Sequence, residues 1–564
     1  MLYIRNTMWE EDCFCYKALV DYPVMHDEQR GVNNSLSMHF FHNCTRRCGY
    51  GKIVDKGIRL CYSRDIKFPQ LAQIDALWKK RREFMIGREE EIKYLRSLKS
   101  EEESQFIAVY GRRRVGKTYL IRESFGYEFT FQHTGVGNDE KKSAETQKQE
   151  QLDKFSESLS VAGYDCGRRL NSWAEAFNGL KEVIKKSNEK KKVIFIDELS
   201  WMDTKDSGLV TELEHFWNGW VTARKEKDVI LIICASATYW IMEKIVNDKG
   251  GFHNRLTGRI HLKPFTLKEC EEYLRAKKIL LNRHQIIQCY MIMGGVPYYW
   301  SLLKKGKSLP QNIDALFFAE DAPLRKEYTN LYRALFKKPD QYIKIIEALS
   351  AENKGISRAD ICKKTGIASS GELSKKLREL EDCGFIRRYI PDGYKERNAI
   401  FQLIDNYTLF YLRFLKNNTY DEHYWQVHNN SPKINAWSGV AFERVCLEHI
   451  SQIKAALGIA GVHAKVNAWQ CEADKEKGLQ GSQIDLLIVR DDQITNVCET
   501  KYSKADYHVN AEFDRDMKRK ISDYLIDSRT KHAIHATLIT NYGVVENEYT
   551  GELQSIITGE ELFK

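Results

Sequence analysis

Ile107-Ala108-Val109-Tyr110-Gly111-Arg112-Arg113-Arg114-Val115-Gly116-Lys117-Thr118 is the stretch that decides how this chain folds. Four apolar residues run straight into a glycine, as a buried parallel strand does on reaching its loop. Gly111 and Gly116 let the backbone turn tightly, so the N–H groups of Arg112, Arg113, Arg114 and Val115 can converge on one point. A helix starting near Lys117 adds the positive end of its dipole there. Such a nest suits the phosphates of ATP. Lys117 is expected to reach the outer phosphates, and the Thr118 hydroxyl to bind Mg²⁺.

A second run makes a chance match improbable. Val193-Ile194-Phe195-Ile196 buries a strand and delivers Asp197-Glu198 at its end. Asp197 is expected beside a magnesium-bound water, and Glu198 to polarise the water that attacks the outer phosphate. Val229-Ile230-Leu231-Ile232-Ile233 reads as a third buried strand, and Asn138 to Glu157 as an exposed helix.

At 564 residues the chain is too long for one hydrophobic core and suggests several domains. With 43% apolar and 29% charged residues it has the composition of a globular protein. The most apolar stretch, Val229 to Met242, is too short to cross a bilayer. No basic-then-apolar leader is visible at the N-terminus, and the 14 cysteines are scattered, several inside apolar runs. A cytoplasmic protein with no membrane partner is expected. The net charge of +9 permits nucleic acid as a partner without demanding it. Residues 1–84 have no clear period and read as a poorly structured extension ahead of a start near Met85. Cys44 and Cys48, with His39 and His42 nearby, lack the second pair a zinc site needs.

Residues 342 to 404 carry a three-helix-and-hairpin pattern. Helices are expected over Tyr342–Leu349, Arg358–Lys364 and Ser369–Asp382, the last with Leu373, Leu377 and Leu380 on its apolar face. Phe385–Tyr389 and Ala399–Leu403 alternate as hairpin strands around Pro391-Asp392-Gly393. This is the pattern of a winged helix-turn-helix, with Ser374, Lys375, Arg378 and Glu379 on the exposed face of the third helix. Eleven basic and eight acidic residues between Glu352 and Arg397 leave DNA contact and a protein–protein role both open.

Near the C-terminus, Gln483–Val489 with Asp485 and Val497–Tyr502 with Glu499 and Lys501 read as strands joined at Asp491-Asp492-Gln493. Glu499 and Lys501, two apart, emerge on one face. A hairpin can bring Asp485 beside them, giving two carboxylates for Mg²⁺ and an ammonium for a phosphate. Glu443, on the helix opened by Gly439-Val440-Ala441-Phe442, could point into the same site.

The two phosphate-site motifs, with Ile86-Gly87-Arg88-Glu89, Cys234-Ala235-Ser236-Ala237, Asn254–Arg259, Leu262–Phe265 and Gly294–Tyr299, resemble the prokaryotic archaeal-type ATPases related to the AAA+ and STAND groups. The resemblance implies that Gly87-Arg88 lies near the adenine and that Ser236 is the polar sensor beside the γ-phosphate. It also implies that Arg255 or Arg259 supplies an arginine to the phosphates, from this subunit or a neighbour in an oligomer. Ala235 departs from the glycine usual before that serine. The Asp485…Glu499-x-Lys501 set with a preceding helical glutamate resembles the restriction-endonuclease-like PD-(D/E)XK superfamily.

The expected fold is therefore α/β and multidomain. It comprises an N-terminal extension (1–84), a P-loop NTPase core with a parallel sheet (85–263), a helical lid and linker (264–335), a winged helix (336–420) and a restriction-endonuclease-like α/β domain (430–564). The expected activity is Mg²⁺-dependent ATP hydrolysis coupled to a DNA-binding or nuclease-like tail. A slow nucleotide switch acting on a protein partner is the alternative.

Overall fold

The computed structural model describes residues 86–137, 141–247, 250–416 and 421–564, and the backbone of two strands near the N-terminus. The chain divides into two units, Met1–Arg81 and Arg82–Lys564. In the first, Gly51–Asp55 pairs antiparallel with Ile58–Tyr62, a hairpin in a stretch where the sequence has no visible period. His39, His42, Cys44 and Cys48 lie outside the described residues, as does most of the expected extension.

In the second unit the alternation of strands and helices builds a five-stranded parallel sheet. Its strands are β1 (Gln105–Tyr110), β2 (Phe131–Thr134), β3 (Lys192–Asp197), β4 (Val229–Ala235) and β5 (Gly258–His261). They lie in the order β2-β3-β4-β1-β5. Alternate residues of β1 serve opposite faces, as the pleat requires: Phe106 and Ala108 enter one core, Ile107 and Val109 another. Helices α1 (Glu89–Ser97) and α2 (Lys117–Phe125) cover the second face, and α3 (Ala144–Val161) and α4 (Trp173–Lys186) the first. Both faces are thus dry, and β3, β1 and β4 are near-continuous apolar runs for that reason.

The α3 helix corrects the expectation of an exposed helix over Asn138–Glu157. It begins at Ala144, capped by Ser143, whose side chain accepts from the Thr146 N–H, and it buries Leu152, Phe155 and Leu159. Three apolar residues at helical spacing outweigh its many charges.

Beyond the sheet come α5 (Leu267–Ala276), α6 (Arg283–Met293) and α7 (Glu327–Leu335). They are followed by α8 (Pro339–Ser350), α9 (Arg358–Thr365) and α10 (Gly371–Asp382). A small antiparallel sheet, β6 (Ile356–Ser357), β7 (Ile386–Tyr389) and β8 (Ile400–Leu403), runs in the order β6-β8-β7. The last part is α11 (Pro432–Glu448), β9 (Ala464–Cys471), β10 (Ser482–Arg490), β11 (Ile494–Lys501), α12 (Ala511–Ser528), β12 (Ala533–Thr540) and β13 (Ser555–Ile557). Its strands follow the order β9-β10-β11-β12-β13, antiparallel up to β11 and parallel from there. One continuous apolar core runs from Phe265 through Leu380 and Phe442 to Phe563. Everything after the parallel sheet is therefore packed together rather than strung on linkers.

That packing corrects one position of the expected exposed face of α10; Lys375 and Arg378 are exposed and Ser374 is half-buried, as expected, but Glu379 is not. Glu379 is buried and accepts a hydrogen bond from the Tyr342 hydroxyl, while Lys375 pairs with Glu243 of the parallel-sheet part at 3.4 Å. The turn between β7 and β8 is engaged too. The Asp392 N–H donates to the Ala468 carbonyl at 3.1 Å, and the Tyr524 hydroxyl to Asp392 Oδ2 at 2.9 Å. Among the described residues no helix is long and apolar enough to cross a membrane.

Candidate functional site

The strand order places three loops side by side. The 111–116 loop leaves β1, Ser236 follows β4 next to it, and Asp197 ends β3 one strand further on. Ligands of open α/β sheets bind outside these carboxyl ends. Gly111 has φ +146°, and a Cβ there would stand 2.2 Å from the Leu262 carbonyl oxygen; Gly116 has φ +91°. The first glycine is thus required by a neighbouring chain segment, the second by the turn itself.

Within this nest the reactive side chains meet. Lys117 Nζ donates to the carbonyls of Gly111 (2.9 Å) and Arg112 (3.1 Å) and reaches Ser236 Oγ at 3.1 Å. The Thr118 hydroxyl donates to Asp197 Oδ2 at 2.6 Å. Glu198 receives the Ser236 hydroxyl on Oε1 (2.5 Å) and the Ser236 N–H on Oε2 (3.1 Å). Residues separated by more than a hundred positions form one hydrogen-bonded chain, Lys117–Ser236–Glu198, beside a second, Thr118–Asp197. Glu198 itself sits at φ +48°, a left-handed conformation that costs a non-glycine residue of order 1–3 kcal/mol and is typical of residues pinned in place at working sites.

The three arginines of the loop are engaged away from the nest. Arg114, at φ +71°, makes a bidentate pair with Glu327 of α7 (2.5 and 2.8 Å) and lies 4.0 Å from the centre of the Tyr298 ring. Arg112 is buried against Asp405 at 2.7 Å. Arg113 lies over the Trp201 ring at 5.5 Å. Burial works against both Arg112 and Arg114, but Asp405 and Glu327 more than offset it and raise their pKa values. The loop can therefore offer its backbone to phosphates while its side chains tie it to distant parts of the chain. Glu327 and Asp405 carry no motif, and only their carboxylate chemistry could have hinted at a basic partner.

Gly87 and Arg88, both left-handed, stand at the start of α1. The Arg88 guanidinium donates to the Lys263 carbonyl at 2.5 Å, lies 3.5 Å from Glu269 and covers the Phe265 ring at 5.0 Å. It thus holds the 262–265 segment whose Leu262 carbonyl closes on Gly111. Arg255 and Arg259 are exposed, and among the described residues neither has a hydrogen bond or ion pair to the phosphate loop.

The second cluster lies in the C-terminal sheet. Glu499 on β11 receives Lys501 Nζ on one oxygen (2.9 Å) and Lys520 Nζ from α12 on the other (2.6 Å). These two ammoniums hold its carboxyl below the ordinary range despite burial. Glu443 on α11 behaves oppositely. Burial, with the charges of Asp485 and Glu499 beside it, pushes it up to about 8. Arg387 of β7 feels the charges of both Asp485 and Glu443. Glu443, Asp485, Glu499 and Lys501 are thus gathered, with Lys520 of α12 and Arg387 of β7 joining although no sequence motif assigns either to the cluster. Asp485 and Lys520 open onto a cleft of about 1100 Å³ that Tyr394, Lys354 and the 471–477 segment also line.

The donors at the phosphate loop fit Mg²⁺. The Thr118 hydroxyl and Asp197 are hard oxygen ligands 2.6 Å apart, at the end of the strand next to β4. The C-terminal donors do not fit a cation as they stand, because both oxygens of Glu499 are taken by ammoniums. Among the described residues no group of three or more His, Cys, Asp or Glu side chains is arranged to hold a metal.

Residues 85–303 match the family model of an ATPase domain predominantly from Archaea, so the chain carries an archaeal-type ATPase domain. An uncharacterized protein of Methanocaldococcus jannaschii is 25% identical over 454 residues, covering 79% of this chain and 94% of that one. Among solved structures, a Walker-type ATPase of Pyrococcus abyssi aligns at 16% identity with a TM-score of 0.40, covering 59% of this chain and 97% of its own. The ORC2 protein of Aeropyrum pernix, in ADPNP and ADP complexes, aligns at 14% identity with a TM-score of 0.31, covering 62% and 94%.

Proposed function

We propose that the chain binds and hydrolyses ATP with Mg²⁺ at the loop 111–118. The observation that carries this reading is the meeting of Lys117, Thr118, Asp197, Glu198 and Ser236 at three neighbouring strand ends. The loop N–H groups and Lys117 hold the phosphates, and Lys117 exchanges its loop carbonyls for phosphate oxygens. Thr118 and Asp197 hold the metal, whose chemistry is to offset charge on the outer phosphates. Glu198 accepts a proton from the attacking water once its carboxylate turns from Ser236, and Ser236 is then free to donate to the γ-phosphate. Gly87-Arg88 bounds the loop from the α1 side, where the adenine is expected. Arg255 or Arg259, both free of ion pairs among the described residues, is the candidate for an arginine supplied to a second copy.

The test is phosphate release from ATP in Mg²⁺. Wild type is expected to turn over, and Lys117→Ala to lose at least ~100-fold. Equal rates would remove the reading.

The C-terminal cluster is proposed to contact nucleic acid. Support comes from Lys501, Lys520 and Arg387 gathered around Asp485 and Glu499 beside an open cleft, a mix suited to phosphodiesters. Nuclease-like cleavage requires Lys501 and Lys520 to release Glu499 to a cation. Mg²⁺-dependent nicking of DNA that disappears in Lys501→Ala supports it, and absence of nicking in every variant favours the nucleotide-switch alternative. That alternative draws support from Ser236, which engages both oxygens of Glu198 and so brakes hydrolysis.

A further inference from the structure

Arg112 is the second residue of the phosphate loop, yet its guanidinium lies in the interior of the rest of the chain. It sits between the rings of Tyr299 (5.9 Å) and Phe385 (5.6 Å), and Asp405, 2.7 Å away, is its hydrogen-bonded counter-charge. Nε and Nη2 of Arg112 have no partner. A buried guanidinium so sparsely satisfied depends heavily on its one carboxylate.

Asp405 is doubly engaged. Its other oxygen, Oδ1, accepts the Thr408 N–H at 2.8 Å and caps the short helix Asn406–Phe410. The next residue continues the path: Asn406 Nδ2 donates to Glu448 Oε1 at 2.8 Å. Glu448 is the last residue of α11, and its Oε2 lies 2.9 Å from the Tyr290 hydroxyl of α6. His449 follows, and its Nε2 accepts the Leu267 N–H at 2.9 Å. The same helix carries Glu443 into the C-terminal cluster. A continuous path of paired side chains therefore runs from the phosphate loop to the helix that builds the second site.

At the loop end of this path Lys117 Nζ holds the Gly111 and Arg112 carbonyls, the two bonds that a bound triphosphate would compete for on the reading above. The same residue carries the guanidinium paired with Asp405, so the carbonyl that Lys117 holds and the buried ion pair share one backbone unit.

We propose that Asp405 is a positioning residue of the phosphate loop, and that through Arg112, Asn406 and Glu448 it joins nucleotide binding and the seating of α11 in one equilibrium. This rests on the reading that residues 111–118 hold a nucleoside triphosphate. Linkage makes the effect reciprocal: whatever loosens α11 weakens nucleotide binding by the same factor. Loss of the Asp405 charge leaves Arg112 buried without compensation, so the loop must be ordered by the nucleotide itself and affinity falls.

The experiment uses the full chain with a non-hydrolysable ATP analogue and Mg²⁺. Analogue affinity and amide hydrogen exchange at 406–410 and 444–449 are compared for wild type, Asp405→Asn and the double variant Arg112→Met, Asp405→Leu. In wild type the analogue slows exchange in both segments. Asp405→Asn binds about tenfold more weakly, within the span usual for coupled sites, and loses the slowing at 444–449. The double variant, which replaces the ion pair by apolar side chains, recovers thermal stability but neither affinity nor the remote slowing. It carries the test if Asp405→Asn does not fold. Wild-type affinity together with wild-type slowing in either variant overturns the inference and leaves the ATP reading standing. Failure of wild type to bind the analogue overturns the reading, and the inference with it.

Discussion

The molecule has two sites that bring carboxylates and a lysine to the ends of strands, and they are in opposite states. At the phosphate loop, Lys117 is spent on loop carbonyls and Ser236, and Asp197 accepts from the Thr118 hydroxyl and the Glu198 N–H with no ammonium on it. At the C-terminal cluster, two lysines sit on Glu499, while Glu443 and Asp485 crowd one another. On the proposed reading the first arrangement is ready for a cation and a polyphosphate. The second is internally neutralised at one carboxylate and strained at another. The same residue types thus mean different things according to who already holds them.

The largest effect should come from the first site's geometry. Gly111→Ala places a methyl 2.2 Å from the Leu262 carbonyl at a φ of +146°. It is expected to destabilise the ATPase part by about 3 kcal/mol or more and to abolish ATP binding, as seen by thermal melting with and without nucleotide. Gly116→Ala, whose Cβ meets nothing within 4 Å, should cost less. Equal effects would mean that closure of the 262–265 segment on the loop is not what shapes it.

An intermediate effect should separate the two sites by pH. Burial and Asp485 raise the Glu443 carboxyl from 4.5 to about 8. Between those values the folded chain holds a proton that the unfolded chain has lost, so this group lowers stability as pH rises. Glu443→Gln is therefore expected to melt higher than wild type by roughly 4 °C or more at pH 8, with the gain shrinking toward zero at pH 5. A gain that is constant with pH would show that crowding by charge is not the cause.

The smallest effect is expected at Lys375→Ala. The Lys375–Glu243 pair is about half exposed on both sides (52% and 53%), and its loss should change stability by no more than about 0.5 kcal/mol. Should the variant instead bind duplex DNA more tightly than wild type, α10 would be masked by the ATPase part, and the first region would be controlling access to the second.

What the sequence disclosed and what it hid follow from distance along the chain. Gly111 through Thr118, Asp197 with Glu198, and Ser236 each lie at the end of an apolar run, so a strand pattern and a motif are enough to find them. The parallel sheet follows from those same runs. Asp405 and Glu327 are single carboxylates about 290 and 210 residues from their arginines, and only tertiary packing pairs them. Glu379 looked exposed by helical spacing, yet Tyr342 of α8 covers it. Lys520 stands 21 residues from Glu499 with no motif joining them, and the pair becomes evident only once α12 brings the ammonium to β11. Glu499 and Lys501 were legible as same-face neighbours; the second ammonium was not.

The most direct measurement is single-turnover ATP hydrolysis by Glu198→Gln alongside a nucleotide-binding titration of the same variant. If Glu198 polarises the attacking water while Lys117, Thr118 and Asp197 hold the nucleotide, binding should stay within about twofold of wild type and hydrolysis should fall ~10²–10⁴-fold. Hydrolysis at the wild-type rate would contradict the account, because the acidic pair at the end of β3 would then have no part in the chemistry at the loop.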